Sequence, residues 1–95
     1  MNKNLEEIRK KIDTLDDQII DTLIRRQKLV FELLPYKNPS KLVDSKREEA
    51  ILARLKYKAS LGNLNKKFIE TIYQLIFTNS VAEMKKELKK NDRTI

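Results

Sequence analysis

The sequence predicts an all-α protein of three helices, of which the first is very long. Its 95 residues include one glycine and two prolines, which leaves little material for turns between strands. Leu, Ile, Lys and Glu dominate the composition, and these residues favour helices. Apolar residues recur at steps of three and four over long stretches, as on one face of a helix. We expect residues 1–95 to form a single domain.

The first helix is predicted over residues 4–34 by a long apolar stripe. The stripe consists of Leu5, Ile8, Ile12, Leu15, Ile19, Leu23, Val30 and Leu33. One member is missing between Leu23 and Val30, and the spacing assigns that place to Arg26 and a further place to Lys37. Arg25 projects about 100° away from Arg26, toward solvent. Pro35 is expected to stop or kink the helix, because proline lacks an N–H.

The second helix is predicted over residues 44–60, after a loop at YKNPSK. The segment Ser45-Lys46-Arg47-Glu48 matches a capping box at its start. Gly62 suits the C′ position that follows the end of a helix. The side chains expected to face inward are Ile51, Leu52, Leu55 and Ala59.

The third helix is predicted over residues 65–88. The side chains expected to face inward are Phe68, Ile69, Ile72, Leu75 and Ile76. Ser80 and Met84 extend this line by further steps of four. The tail KKNDRTI is expected to fray.

The length of the first helix predicts a homodimer. A helix of about 31 residues is roughly 46 Å long, which exceeds the diameter of a globule of this size. Because two shorter helices cannot cover its whole stripe, we expect a second copy of the chain to lie alongside it. The alternative is a monomeric hairpin of two helices with a loosely attached third.

The composition excludes several kinds of chemistry. The chain has no Cys and no His, which rules out disulfides, thiolate nucleophiles, Cys-ligated zinc and histidine-dependent triads. A single glycine cannot form a glycine-rich phosphate loop. The first residues, MNKNLEEIRKK, lack the apolar region of a signal peptide, and no run of about 18 apolar residues occurs. We therefore expect a cytoplasmic protein that does not enter a membrane.

The net charge of +7 favours an anionic partner, such as a nucleic acid, an anionic membrane surface or a small metabolite. A lysine-rich solvated surface explains the charge equally well. The lysines are spread along the chain with few aromatic residues among them, which argues against nucleic acid. Arg26 and Lys37 on an apolar face need anions. Either Asp44 and Glu48 supply them, or a small, doubly negative ligand binds inside the helical bundle.

Three segments of the chain match one family in the same order. They are LEEIRKKIDTLDDQIIDTLIRRQKLVFELLPYK, VDSKREEAILARL and IYQLIFTNSVAEM. Together they resemble the three helices of the all-helical chorismate mutases, the AroQ class, over roughly residues 5–88. The resemblance implies an intertwined homodimer with two active sites. It also implies rearrangement of chorismate to prephenate in aromatic amino acid biosynthesis, a reaction that needs no metal, cofactor or nucleophile.

The resemblance implies roles for three cations of the first segment. Arg26 would bind a carboxylate of the substrate. Arg9 would reach across the dimer to a carboxylate in the partner's site, and the structural alternative is an ion pair with Asp13. Lys37 would contact a carboxylate and the ether oxygen that breaks.

Four residues of the second and third segments receive roles in the same way. Asp44 would offer its backbone N–H near the substrate hydroxyl, Glu48 would accept from that hydroxyl, and Arg47 would orient both groups. Ser80 would donate to the ring carboxylate. The structural alternatives are an N-cap for Asp44, the capping box for Glu48 and a bond from Ser80 to its own helix.

Two departures from the family pattern predict reduced activity. Met84 stands where the family usually has a Gln or Glu beside the ether oxygen, and a thioether cannot donate a hydrogen bond. Loss of one such donor typically costs about 10²–10³ in rate. Pro35 interrupts a segment that is usually helical and is expected to displace Lys37. Other activities on the same fold are an isochorismate–pyruvate lyase, rearrangement of an amino-substituted chorismate and a binding module without catalysis.

Overall fold

Three α-helices make up the computed structural model, which describes residues 2–93, with side chains from residue 4 to residue 90. They are α1 (Asn2–Glu32), α2 (Ser45–Leu61) and α3 (Lys66–Arg93), and a 3₁₀ turn at Leu34–Tyr36 follows α1. The predicted all-α class with one long first helix is confirmed, and residues 2–93 contain no strand. Within the same residues, no helix combines the length and the apolar character needed to cross a bilayer.

The long helix α1 forms one of two compact units, and the chain from Leu33 onward forms the other. Its 31 residues match the predicted length. The apolar stripe is largely open to solvent in the single chain, with exposures between 46% and 57% at Leu5, Ile8, Ile12, Leu15 and Ile19. Arg25 is exposed and Arg26 is half-buried, as the stripe predicts.

Pro35 marks the place where the helical path changes. The helix α1 ends at Glu32, and the 3₁₀ turn is closed by bonds from Tyr36 N to Leu33 O (2.9 Å) and from Lys37 N to Leu34 O (3.1 Å). The predicted stop before Pro35 is confirmed. The prediction that Lys37 continues the α1 stripe is wrong, because its backbone is extended, with φ −109° and ψ 146°.

The start of α2 is capped by Asp44, whose carboxylate accepts from Arg47 N at 3.0 Å. Ser45 is therefore the first helical residue, and the capping box predicted from Ser45 to Glu48 is wrong. The physical reason is that a carboxylate one residue earlier accepts from the third helical N–H, which is the usual work of an N-cap. The structural alternative for Asp44, an N-cap, is confirmed. The cap uses the side chain of Asp44 and not its backbone N–H.

The turn between α2 and α3 ends the helix with a Schellman motif. Leu64 N donates to Ala59 O at 2.8 Å, and Asn63 N donates to Ser60 O at 3.3 Å. The prediction of Gly62 at C′ is wrong by one position, because Asn63 has the left-handed φ of 58° and Gly62 has φ −99°. Asparagine tolerates this conformation because its short polar side chain bonds locally.

The helices α2 and α3 pack together in the second unit. Ile51 and Ala59 on α2, and Phe77 on α3, are buried, and Lys56 Nζ lies 3.9 Å from Glu70 Oε1 between the helices. Of the positions predicted to face inward, these are half-buried: Leu52, Leu55, Ile69, Ile72 and Ile76.

Two inward predictions on α3 are wrong. Phe68 is 55% exposed and Leu75 is 68% exposed in the single chain. Leu75 precedes the buried Phe77 by two positions, which is about 200° around a helix and places it on the opposite side. Phe68 lies seven residues before Leu75 and shares its face.

The third helix also extends further than predicted. It runs past Leu88 to Arg93, so the prediction of a frayed tail is wrong for residues 89–93. The last two residues of the tail, 94–95, lie outside the described residues. Asn65 caps the start of α3 by accepting from Phe68 N at 3.0 Å.

Candidate functional site

Lys37 is held against the backbone of its own loop. Its ammonium donates to the carbonyl oxygen of Leu42 at 3.0 Å, and the lysine is half-buried. Leu42 is only 5% exposed, so the acceptor belongs to an anchored part of the loop. An ammonium group has three donors, and this bond uses one of them. The remaining donors therefore belong to a side chain whose position is already restricted.

The start of α2 brings Asp44, Arg47 and Glu48 together within one helical turn. Asp44 and Arg47 are exposed, and Glu48 is half-buried. Backbone N–H groups at a helix N-terminus carry a partial positive charge, which favours an anion nearby. Glu48 supplies an acceptor at the same end of the helix.

An open groove of about 460 Å³ lies beside Glu48. Its lining, among the described residues, is Val43, Glu48, Gln74, Phe77, Thr78, Val81, Ala82 and Lys85. Half of these side chains are apolar, while Glu48 adds a negative charge and Lys85 a positive one. A second hollow of about 350 Å³ adjoins it and shares Val43, Val81 and Lys85. Residues 39–43 of the loop line the second hollow, whereas Lys37 is part of the lining of neither.

Ser80 and Met84 lie one turn apart on α3 and are both buried. Ser80 is 8% exposed and interacts with a neighbouring group, and Met84 is 4% exposed. Neither belongs to the lining of the Glu48 groove. Glu83, the residue beside Met84, is engaged elsewhere, because Lys86 Nζ lies 3.3 Å from its Oε1.

Arg9 and Arg26 are the site residues carried by α1. Arg9 is exposed and pairs with Glu6, with 3.3 Å between Nη1 and Oε1. The alternative partner predicted for Arg9, Asp13, is wrong, because the residue one turn earlier takes that place. Arg26 is half-buried and interacts with a neighbouring group.

Several residues around the site were missed by the sequence patterns. Leu42 and Val43 lie in the loop, where no helical period marks a buried position. Phe77 and Val81 border the predicted line on α3, and a wider stripe would have included them. Lys85 was missed because no sequence pattern distinguishes it from the other lysines of the chain.

A half-buried lysine restrained in its loop and a partly apolar groove beside Glu48, both in the second unit, are suited to a small organic anion. The profile of the family described as "Chorismate mutase type II" matches residues 8–85. The chain belongs to this family.

Three relatives are each described as a "Bifunctional chorismate mutase/prephenate dehydratase" of Buchnera aphidicola. The protein of the subspecies Acyrthosiphon pisum is 35% identical over 91 residues, which cover 94% of this chain and 24% of the relative. The protein of Schizaphis graminum is 33% identical, covering 97% of this chain and 25% of the relative. The protein of Baizongia pistaciae is 33% identical over 86% of this chain and 23% of its own length. The chain thus spans about a quarter of these relatives. No solved structure matches it significantly.

Proposed function

We propose that this chain rearranges chorismate to prephenate, a step of aromatic amino acid biosynthesis. The observation that carries the proposal is the family match over residues 8–85, which contains all eight site positions. These positions are Arg9, Arg26, Lys37, Asp44, Arg47, Glu48, Ser80 and Met84. Their predicted roles remain part of the proposal.

The rearrangement is unimolecular, so the protein acts by holding one conformer and stabilising the charge that grows on the breaking ether. Lys37 is suited to the ether oxygen and a carboxylate, because its bond to Leu42 O already restricts the ammonium. Glu48 is suited to the substrate hydroxyl. The apolar wall formed by Phe77 and Val81 gives the carbon ring a surface to pack on. Arg26 and Ser80 would bind the carboxylates.

We also propose that the active form is a homodimer in which Arg9 completes the partner's site. The exposed stripe of α1 supports this, since Leu15 and Ile19 are each 57% exposed. Phe68 and Leu75 on α3 add further exposed apolar surface. Removal of apolar surface from water is the dominant favourable term in most protein–protein association. The cytoplasmic location and the lack of nucleic-acid binding stay predictions.

The proposal is tested by mixing the purified chain with chorismate and following the loss of its ultraviolet absorbance. Chromatography then identifies the product. We expect prephenate to form faster than in buffer alone, at a rate reduced by the absence of a donor at Met84. With isochorismate in place of chorismate, formation of pyruvate and a hydroxybenzoate would indicate a lyase instead. Calorimetric binding of chorismate without turnover would indicate a binding module. The absence of both binding and turnover would refute the proposal.

A further inference from the structure

We propose that Asn38 is a positioning residue for Lys37, acting through the tight turn of residues 38–41. The inference deepens the proposed function and rests on it. It concerns residues 38–41, NPSK, which have no helical pattern and received no role from the family resemblance.

The turn is built around the side chain and backbone of Asn38. Asn38 Oδ1 accepts from Ser40 N at 3.0 Å and from Ser40 Oγ at 2.8 Å. Asn38 O accepts from Lys41 N at 2.8 Å and so closes the turn. Pro39 occupies the second position, where its fixed φ suits a β-turn, and asparagine is favoured at the first.

The turn of residues 38–41 lies between Lys37 and Leu42, the two residues that the ammonium bond joins. The bond from Lys37 Nζ to Leu42 O, at 3.0 Å, joins the residue just before the turn to the residue just after it. Leu42 is 5% exposed and fixes one end. The path of residues 38–41 therefore decides whether the ammonium reaches its acceptor.

Lys37 depends on the Asn38 turn because Pro35 interrupts the helix before it. A lysine within a continuous helix is placed by the helix backbone. Here α1 ends at Glu32 and Lys37 has extended backbone angles, so the helix cannot place it. The Asn38 turn is the hydrogen-bonded element that follows Lys37 directly. We infer that it replaces the missing helical turn in holding the ammonium.

The inference is tested with Asn38→Ala, Lys37→Ala and the double variant, assayed for chorismate turnover. A misplacement of about 1 Å can cost about 10²-fold in rate, so we expect Asn38→Ala to lower kcat/KM by about 10- to 100-fold. Asn38→Asp keeps the acceptor oxygen and should recover most of this loss. In the Lys37→Ala background, Asn38→Ala should cause no further loss. Lys41→Ala is the matched control, since it changes only an exposed side chain of the same turn, and it should keep wild-type activity.

A second readout follows the Lys37 ammonium itself, by NMR of the chain labelled with ¹⁵N-lysine, with Lys37→Ala to assign the signal. We expect the signal in the wild type and in Asn38→Asp, and its loss to solvent exchange in Asn38→Ala. An unchanged signal in Asn38→Ala would overturn the inference. So would an equal loss of activity with and without Lys37. If the wild type has no turnover, the proposed function fails, and the NMR comparison still decides the role of Asn38.

Discussion

At the scale of single residues, adjacent arginines of α1 have different surroundings. Arg25 is exposed, whereas Arg26 is half-buried and occupies the missing place in the apolar stripe. Neighbours on a helix point about 100° apart, so one arginine can serve a site while the other meets solvent. The pair therefore offers a matched comparison in which charge, size and helix position are nearly constant.

Arg26→Ala is expected to lower kcat/KM for chorismate by about 10- to 100-fold, because a hydrogen bond to a charged group contributes roughly 1.5–3 kcal/mol. Arg25→Ala should leave kcat/KM within about twofold, as expected of an exposed substitution. Steady-state kinetics on both variants, with thermal unfolding to check the fold, measure the difference. Equal losses in the two variants would contradict the role of Arg26.

Met84→Gln is expected to raise kcat by about 10²–10³, because the amide supplies a donor for the ether oxygen that the thioether lacks. Met84 is 4% exposed, so the buried amide should also lower the free energy of unfolding by about 1–3 kcal/mol if it is poorly bonded. Met84→Leu is the control for volume and should leave kcat unchanged. No gain in the Gln variant would remove Met84 as the cause of slow turnover.

At the scale of elements, the ends of the helices show how local chemistry sets boundaries. Asp44 and Asn65 cap α2 and α3 through their side-chain oxygens. Pro35 fixes the end of α1. The Schellman motif after α2 depends on Asn63 in the left-handed region, at φ 58°, and not on the neighbouring glycine.

We predict opposite effects on the free energy of unfolding for substitutions at Gly62 and Asn63, the two residues of the α2–α3 turn. Gly62→Ala should keep or raise the free energy of unfolding, by up to about 1 kcal/mol, because φ is −99° and a Cβ would meet only Ala59 O, at 3.8 Å. Asn63→Ala should lower it by about 1 kcal/mol, because a left-handed φ strains an alanine. Urea unfolding followed by circular dichroism measures both changes. A larger loss in Gly62→Ala than in Asn63→Ala would contradict the assignment of the turn.

At the scale of the whole molecule, charge and apolar surface are divided unevenly along the chain. Acidic and basic residues balance through residue 32, so the entire net charge of +7 comes from residue 33 onward. The exposed stripe lies on α1. A neutral helix with a long apolar face is suited to pairing with a second copy, while the basic part is suited to an anionic substrate.

Ile19→Glu is expected to convert the proposed dimer to a monomer and to abolish turnover, because it places a charge in the middle of the stripe. Thr14→Glu adds the same charge about 140° away from Ile19 on α1 and should leave both properties unchanged. Light scattering coupled to gel filtration gives the mass, and the chorismate assay gives the activity. A monomeric wild type with full activity would contradict the dimer.

The sequence was most informative where a regular period held over many residues. The length of α1, the place of Arg26 in its stripe and the effect of Pro35 were all predictable from spacing and proline geometry. The loop that holds Lys37 was not, because a buried Leu42 and a bond from Nζ to a backbone carbonyl follow no period. The faces of Phe68 and Leu75 were misjudged because apolar residues surround much of α3, so several stripes fit the pattern equally well.

The most direct measurement compares prephenate formation by the wild type, Lys37→Ala and Lys41→Ala. We expect turnover above the uncatalysed rate in the wild type, a fall of about 10²-fold or more in Lys37→Ala, and little change in Lys41→Ala. Lys41 is an exposed lysine of the same loop, so it controls for charge and for loop structure. No prephenate above background in the wild type would contradict the proposed function, and equal rates in all three proteins would contradict the role of Lys37.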